Sequence, residues 1–344
     1  MRAAETGLHT AVSASVSNPA IRDVCIHIIA TSSNIPQSVR LDASKLEGYL
    51  LIAAAAFCYG ASAALGKAVF NGASWVRGVG IDPLILSQTR STFALLVLLP
   101  ILLLTRGPGV LRSSRRTLLM CTAMGVFGVC GANFFYYYAI AKSTVATAIT
   151  VQYTAPVWVY AYTVLAGQHR ATWLRSTAVV LAFLGCALMA LAGPQAQLRV
   201  SAVGILAALG AAFSYSFYNV IGADLLGRFS RWLVLFYTLL AATIFWLIVN
   251  PPWRVAAQHY SGREWLFLFV FAVLSMLVPF ALYLGGLRLL DPTGAIVTSC
   301  LEPVFASVLA AIFVGEKLTG LQIVGIALVL SQSVLIQLPQ KEVA

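Results

Sequence analysis

An acidic side chain lies inside a long apolar stretch near the end of the chain, which reads GAIVTSCLEPVFASVLAAIFVGEKLTG. Glu302 is followed there by Pro303. A carboxylate in hydrocarbon loses hydration worth about 2.5 kcal/mol or more, so it normally faces a bundle interior or water. Proline removes a helix donor and frees a carbonyl one turn back. The pair predicts a polar, deformable point inside a membrane bundle.

Two charged residues are the first candidates for chemistry. Glu302 lies too deep in its apolar stretch to snorkel, and desolvation favours its protonated form. Three roles fit it: a ligand for a cation or ammonium group, a proton-coupling site, or a structural hydrogen bond to a neighbouring helix. Arg90, in QTRSTFALLVLLP, lies one or two turns into another apolar stretch. It either contributes to the same site or snorkels to the interface.

Neutral polar residues near the two helix prolines give further candidates. Gln152 and Ser299 each precede a proline, Pro156 or Pro303, by four residues. They therefore lie over the turn whose hydrogen bonding proline disturbs, and we expect both prolines to shape their helices.

Two amide–phenol pairs have the spacing i,i+4, which places their members on one helix face: Asn133 with Tyr137, and Tyr215 with Asn219. Such a stripe suits a polar or zwitterionic solute with an apolar part. Hydrogen bonds between helices, worth about 0.6 kcal/mol each, are the alternative for each residue alone. Because the candidates come from both halves of the chain, together they favour a cavity.

The composition predicts a membrane protein. The 344 residues are 60% hydrophobic and only 10% charged, with a mean hydropathy of +0.88. Soluble domains have about a quarter of their residues charged. The net charge of +11 could indicate nucleic-acid binding, but basic loops on one side of a membrane give the same total, and the apolar composition favours the membrane.

Ten apolar segments of near-spanning length follow residue 47, so the predicted fold is an all-α polytopic membrane protein with ten transmembrane helices. Turn residues such as Asn250-Pro251-Pro252 and Asp291-Pro292 separate the segments. We place them at about 48–69, 83–104, 117–141, 144–166, 173–193, 202–222, 231–250, 264–287, 293–314 and 319–338.

The phrase LEPVFASVLAAIFVGEKLTGLQIVGIALV resembles the C-terminal half of EamA-type transporters of the drug/metabolite transporter superfamily. A diverged second copy lies upstream. With an offset of 147 residues, Pro303 falls on Pro156, Thr319 on Thr172 and Tyr283 on Tyr136, whereas Ala155 replaces Glu302. With an offset of 156 residues, Gly48 falls on Gly204 and Tyr59 on Tyr215.

The two copies define the expected domains. We predict an N-terminal tail at 1–46, a first repeat at 47–195, a second at 196–338 and a short C-terminal tail at 339–344. Five helices per repeat is an odd number, so the second repeat must enter the membrane from the opposite side, as an inverted pair. The tail fits a secretory signal poorly, and we expect it to be disordered or an overextended start.

The distribution of basic residues predicts that both termini are cytoplasmic, in an inner membrane. With the N-terminus inside, that side collects fourteen Lys and Arg, and the other side seven. The cytoplasmic set is Arg2, Arg22, Arg40, Lys45, Arg106, Arg112, Arg115, Arg116, Arg170, Arg175, Arg228, Arg231, Arg288 and Lys341.

Catalysis and cofactor binding have little support in the residues. The four histidines lie in the tail or in loops, and no HExxH, GxSxG, Walker or dinucleotide motif occurs in a suitable context. The six cysteines form no CxxC, so we expect neither a metal site nor a disulfide framework. We therefore predict that the protein is not an enzyme and needs no cofactor.

The resemblance implies export of amino acids, related metabolites or small drugs by alternating access. The expected partners are a small-molecule substrate, membrane lipid and, through Glu302, protons. An uptake permease or exchanger of the same superfamily stays open, as does a non-transporting scaffold or lipid-handling protein. The predicted cavity lining is Arg90, Asn133, Tyr137, Gln152, Tyr215, Asn219, Ser299 and Glu302.

Overall fold

The structure is a computed structural model that describes residues 37–70, 83–192, 201–315 and 317–338. In these ranges the chain forms helices joined by turns. The α-helices are α1 (Gln37–Phe70), α2 (Pro83–Arg106), α3 (Arg115–Ala123), α4 (Gly131–Lys142), α5 (Val145–Gln152), α6 (Ala155–Leu165), α7 (Trp173–Leu191), α8 (Ala202–Arg228), α9 (Arg231–Val249), α10 (Pro252–Ala256), α11 (Gly262–Ala272), α12 (Val278–Leu287), α13 (Pro292–Ser299), α14 (Glu302–Val314) and α15 (Gly320–Leu335).

Three shorter helical segments complete the described part of the chain. The π-helical segment Met124–Cys130 joins α3 to α4, and a second, Val273–Leu277, joins α11 to α12. A 3-10 turn, Pro108–Leu111, follows α2. A π-helical turn leaves local carbonyl groups outside the regular helical ladder, which makes them available to other donors.

Each of the ten predicted segments is helical, but two contain a break. The segment 144–166 contains α5 and α6, and the segment 293–314 contains α13 and α14. Within the described ranges, eight helical stretches are long and apolar enough to cross a membrane, and α15 is a shorter apolar helix. The chain is thus a polytopic helical membrane protein.

The first helix begins earlier than the sequence predicts. Residues 1–36 of the predicted tail lie outside the described part, so the expectation of disorder there is not addressed. Residues 37–46, which belong to the same predicted tail, form the start of α1. Leu41, Ala43, Lys45 and Leu46 all favour helix, which accounts for the extension beyond the apolar span.

The same local features recur at the 147-residue offset. Ser114 and Ser261 each cap a helix: the side-chain oxygen accepts a hydrogen bond from the main-chain nitrogen three residues later. Thr172 and Thr319 cap their helices in the same way. The two π-helical segments overlap at this offset, and so do the two helix breaks. The internal repeat seen in the sequence is therefore also a repeat of caps and breaks.

Two apolar cores organise the bundle. One is formed mainly by α2, α8, α9 and α12 and includes Leu98, Leu235 and Trp246. The other is formed mainly by α6, α7, α13 and α15 and includes Val159 and Val329. Helices α1 and α8 contribute to both cores. These helices therefore connect the two cores.

Close helix contact through small residues holds the second core together. A Cβ added to Gly185 in α7 would stand 2.9 Å from the carbonyl oxygen of Gly325 in α15, and the reverse distance is 2.8 Å. Only glycine allows two helix backbones to approach so closely. The five cysteines in the described part are free thiols.

Candidate functional site

The deepest charged residue lies at a helix break. Helix α13 ends at Ser299 and α14 begins at Glu302, with Cys300 and Leu301 forming the turn between them. Glu302 is thus in the first turn of α14, where the helix dipole favours a negative charge. Pro303 sits at the start of α14 and Pro156 at the start of α6. Each proline therefore begins a new helix, where its missing donor costs little.

Glu302 lies deep in the protein and is still partly accessible. Its charge acts on four tyrosine side chains around it, namely Tyr59, Tyr136, Tyr153 and Tyr215. Each of these tyrosines is also deep and partly accessible. These side chains therefore lie within the bundle and keep part of their surface exposed. These residues, with Arg90, are called the Glu302 cluster below.

Arg90 points into the bundle. Its Nη2 atom donates to the carbonyl oxygen of Ser275, at 2.7 Å, in the π-helical segment between α11 and α12. Its guanidinium carbon lies 5.8 Å from the ring centroid of Phe271. The charges of Arg90 and Glu302 also interact. Snorkelling to the interface does not describe this side chain, because an inner carbonyl group holds it.

A hydrogen-bonded chain connects three helices beside the Glu302 cluster. The Tyr215 hydroxyl donates to Ser299 Oγ at 3.1 Å. Asn219 Nδ2 donates to the carbonyl oxygen of Tyr215 at 2.9 Å, and Asn219 Oδ1 accepts from the Tyr283 hydroxyl. This chain joins α8 to α12 and to the end of α13. It ties the helix break to α8, which contributes to both cores.

Aromatic rings form one wall of the same region. Phe280 packs edge-on against Tyr59 and Tyr218, with centroid distances of 6.1 and 5.7 Å. Tyr218 also contacts Tyr283 at 6.0 Å. The wall presents both apolar ring faces and polar hydroxyl groups. It suits a small solute that carries both characters.

Three buried polar atoms of this region have no hydrogen-bond partner in the part of the chain that the structure describes: Arg90 Nε, Ser275 Oγ and the Tyr218 hydroxyl. A buried donor or acceptor without a partner is costly, so native proteins leave few of them. The Arg90 side chain already donates a hydrogen bond to the main-chain carbonyl oxygen of Ser275. These atoms mark a place where a polar solute would gain hydrogen bonds that the protein itself does not provide.

For three of the predicted lining residues, the described contacts do not lead to the Glu302 cluster. Asn133 Nδ2 donates to the Val129 carbonyl oxygen of its own helix, at 2.9 Å. Tyr137 contacts its neighbour Tyr136, with ring centroids 5.6 Å apart. Gln152 is partly buried at the end of α5, beside the first helix break.

Several residues of this region were not among the predicted lining. They are Tyr59, Tyr136, Tyr153, Ser275 and Tyr283. The internal repeat could have indicated these tyrosines, because a tyrosine occupies the same position in both copies at two places: Tyr59 aligns with Tyr215, and Tyr136 with Tyr283. No comparable signal marks Ser275, whose main-chain carbonyl is the group that binds Arg90.

The aromatic run 134–138 is divided between two environments. Phe134, Phe135 and Tyr138 are exposed on the outside of the bundle, where they line an apolar groove of about 270 Å³ between α4 and α8. Tyr136 points inward to the Glu302 cluster. The groove contains none of the predicted site residues.

An ion pair ties the start of α13 to the first half of the chain. Arg175 Nη2 of α7 lies 2.9 Å from Asp291 Oδ2, and His169 Nε2 lies 3.9 Å from the same oxygen. Asp291 Oδ1 also accepts from the main-chain nitrogen of Gly294 and so caps α13. A buried hydrogen bond of 3.1 Å between the Thr163 and Thr293 hydroxyls lies beside it. Helix α13 leads directly to the Glu302 break.

A polytopic helical bundle with broken helices and with charged and tyrosine side chains in its interior is an architecture that many secondary transporters use. Residues 46–191 and residues 202–338 each match the EamA-like transporter family. The chain belongs to this family and is an EamA-type transporter of the drug/metabolite transporter superfamily. The resemblance noted in the sequence is thereby confirmed.

Curated relatives agree with this class. The chain is 26% identical over 230 residues to the uncharacterized inner membrane transporter YicL of Salmonella typhimurium, covering 66% of this chain and 76% of YicL. It is 29% identical over 275 residues to an uncharacterized transporter of Archaeoglobus fulgidus, covering 79% and 94% of the two chains. The threonine/homoserine exporter RhtA of Salmonella typhimurium is 29% identical over 203 residues, covering 59% of this chain and 66% of RhtA.

The fold also matches a solved crystal structure. The TM-score is 0.67 at 19% sequence identity, and the match covers 83% of this chain and 95% of the other. At this identity the likeness establishes the fold alone. It agrees with a helical bundle that extends over most of the chain.

Proposed function

We propose that the protein exports amino acids or related small metabolites across the inner membrane by alternating access at the Glu302 cluster. The observation that carries this proposal is the position of Glu302. The carboxylate lies deep in the bundle at the start of a broken helix, stays partly accessible and interacts with Arg90 and four tyrosines. A buried carboxylate that serves packing alone would be closed off by its partners.

The proposed substrate class is a zwitterion with a small side chain. The Arg90 guanidinium is held by Ser275 through Nη2, while its buried Nε atom has no hydrogen-bond partner in the described part of the chain and would gain one from a bound carboxylate. The Glu302 carboxylate and the tyrosine rings would receive an ammonium group. Phe280 and Tyr218 would accommodate the side chain. The similarity to RhtA, named a threonine/homoserine exporter, supports this class.

The proposed topology has ten spans arranged as two inverted five-helix repeats. On this proposal the broken helices α5–α6 and α13–α14 each cross the membrane once, and α15 is the tenth span. The recurrence of caps, π-helical segments and breaks at 147 residues supports the pairing of the halves. Broken helices at equivalent places are typical of transporters with inverted repeats.

The proposed repeats occupy residues 47–195 and 196–338, between tails at 1–46 and 339–344, with both termini cytoplasmic. The excess of Lys and Arg on one set of loops supports this orientation. The names of relatives as transporters support transport over catalysis. Protons and membrane lipid are the further partners that the proposal includes.

The test is efflux from proteoliposomes that contain the purified protein. Vesicles would be loaded separately with labelled threonine, homoserine, a larger neutral amino acid, an organic cation or an organic anion. The proposal expects release of one or more zwitterions at least tenfold above protein-free vesicles, and little release of the two singly charged controls. Uptake without efflux would indicate a permease. No flux of any probe, from protein that is folded and correctly inserted, would support a non-transporting role.

A further inference from the structure

A cluster of arginines around one tryptophan lies where several spans end on the same face of the bundle. The guanidinium carbons of Arg106 and Arg231 lie 5.6 and 4.9 Å from the ring centroid of Trp232. Arg106 is the last residue of α2 and Arg231 the first of α9. Both residues also form the ends of candidate membrane spans. The group is therefore at the depth of the lipid headgroups.

Further arginines belong to the same end of the bundle. The 3-10 turn after α2 is fixed to α9 by a hydrogen bond of 2.6 Å from the Tyr237 hydroxyl to the Leu111 carbonyl oxygen. Arg112 follows this turn directly, and Arg115 and Arg116 begin α3. All three side chains are exposed. We call Arg106, Arg112, Arg115, Arg116, Arg231 and Trp232 the arginine–tryptophan cluster.

The arginines of this cluster have no acidic partner at ion-pair distance in the described part of the chain. The sequence has no acidic residue between Asp82 and Asp224, and Asp224 is bound to Arg228 at 2.7 Å. Cations in the first turn of a helix also oppose the helix dipole, so Arg115 and Arg116 do not stabilise α3 itself. Repulsion among these charges would fall if an anion were bound.

Exposed leucines continue from the cluster along the side of the bundle. Leu104, one turn before the end of α2, is 87% exposed, and Leu119, one turn into α3, is 61% exposed. A free phosphate ion could contact the arginines but would leave these side chains uncovered. A phospholipid would place its phosphate at the level of the arginines and its acyl chains at the level of the exposed leucines.

We propose that the arginine–tryptophan cluster binds an anionic phospholipid, with the phosphate held by the guanidinium groups and the acyl chains lying along the exposed leucines. Arginine suits this task because its planar fork of donors matches phosphate oxygens, and stacking on Trp232 orients two of the forks. Clusters of this kind beside a span end are a recognised signal for anionic lipid.

The test is lipid retention by the full-length protein in detergent micelles, measured by native mass spectrometry. Micelles would contain equal amounts of phosphatidylglycerol and phosphatidylcholine. We expect the wild type to retain phosphatidylglycerol at least tenfold over phosphatidylcholine. A triple variant, Arg112→Gln with Arg115→Gln and Arg116→Gln, and a single variant, Arg106→Gln, should each reduce that preference at least fivefold. Micelles avoid any effect of lost positive charge on membrane insertion.

The control is a double variant, Arg254→Gln with Arg263→Gln, which removes two exposed arginines elsewhere. It should retain the lipid within twofold of wild type. Equal retention of the two lipids by the wild type would overturn the proposal, and so would wild-type preference in the triple variant. Displacement of the lipid by millimolar inorganic phosphate alone would assign the cluster to a free anion instead.

Discussion

Arg90 is the residue through which a solute carboxylate would be recognised. One nitrogen is bound to the Ser275 carbonyl oxygen, which holds the guanidinium in the bundle, and Nε is buried with no partner among the described residues. A fixed and incompletely paired guanidinium can accept a carboxylate without first breaking an ion pair. Glu302 carries the opposite charge near enough to interact with it electrostatically.

Replacing Arg90 should reduce flux more when both its charge and its planar set of donors are lost than when the charge is kept. Arg90→Gln removes the charge and the fork, and we expect flux to fall by about 10-fold to 100-fold, the equivalent of one charged hydrogen bond of about 1.5–3 kcal/mol. Arg90→Lys keeps the charge and should be intermediate, because lysine cannot form the planar contact. Arg254→Gln is the matched control and should transport as the wild type. Normal flux in a well-folded Arg90→Gln protein would remove Arg90 from the site.

Part of the candidate site could be predicted at this scale. The i,i+4 spacing correctly placed Tyr215 and Asn219 on one face, and both lie in the hydrogen-bonded chain to Ser299 and Tyr283. In α4, Asn133 makes the same local bond, to the Val129 carbonyl oxygen four residues earlier, whereas Asn219 also accepts from Tyr283 of another helix. Helix spacing defines a face and does not reveal which residues of another helix lie opposite that face.

At the scale of helices, α1 is packed directly against the helix that carries Glu302. A Cβ on Gly60 would stand 2.9 Å from the Glu302 carbonyl oxygen and 2.7 Å from the Ala306 nitrogen. These are main-chain atoms, so the helices themselves would have to separate. The first turn of α14 is therefore positioned by the absence of a side chain on α1.

Gly60→Ala should accordingly displace α14. Overpacking of a close contact costs about 1–3 kcal/mol, so we expect a lower melting temperature together with reduced flux. Gly227→Ala is the control, since it lies in α8 with nothing within 4 Å of its added Cβ. The control should be neutral, or stabilising by up to about 1 kcal/mol. Thermal unfolding followed by size-exclusion chromatography would measure both. Equal behaviour of the two variants would contradict the proposed contact.

The ion pair of Arg175 with Asp291 should hold one end of the bundle closed. Asp291→Asn removes the charge that binds α7 to α13, and asparagine can still cap α13. We expect a cysteine placed at Thr293, which is fully buried, to react with a maleimide at least fivefold faster in the Asp291→Asn background. Asp224→Asn, which breaks an exposed pair, is the control. Unchanged reactivity would show that the pair does not close this end.

The helices themselves could be predicted well and their interruptions could not. The length of each apolar stretch predicted a helix in all ten segments, because a membrane span needs about twenty apolar residues. The breaks at 153–154 and 300–301 have apolar or weakly polar sequences that continue the pattern. The sequence predicted a deformable point at Glu302-Pro303, and in the structure the proline after each break begins a second helix.

The whole molecule has a repeated internal plan with unequal halves. Caps and breaks recur at 147 residues, but Ala155 stands where the second half has Glu302. The position equivalent to Asp291 is Thr144, which caps its helix without a charge. The proposed coupling group and the ion pair therefore both belong to the second break. Alternating access between such halves would be asymmetric.

An inverted arrangement makes a direct prediction about two loops. The exposed residues Gln168 and Lys317 follow α6 and α14 at nearly equivalent positions. In a cysteine-free background, a single cysteine at each should react with a membrane-impermeant maleimide from opposite faces in oriented vesicles. The Gln168 position should be reached from the same face as the C-terminus. Labelling of both positions from one face would exclude the inverted pair.

Family and fold class could be predicted at the scale of the whole chain, since composition and the phrase around Glu302 already indicated an EamA-type transporter, as the family match shows. Substrate choice depends on which tyrosines and main-chain groups converge in three dimensions. Tyr59, Tyr153 and Tyr283 are far apart in the sequence, and apolar patterning does not distinguish an inward tyrosine from an outward one.

The central claim is that Glu302 is the coupling group of a proton-linked exporter, and efflux from proteoliposomes with and without a pH gradient tests it most directly. For wild type we expect amino-acid efflux to rise at least fivefold when the external side is more acidic. Glu302→Gln should lose at least tenfold in gradient-driven flux and keep only gradient-independent exchange, whereas Asp224→Asn should behave as wild type. Gradient-driven efflux at the wild-type rate in a folded Glu302→Gln protein would contradict the account and return Glu302 to a structural role.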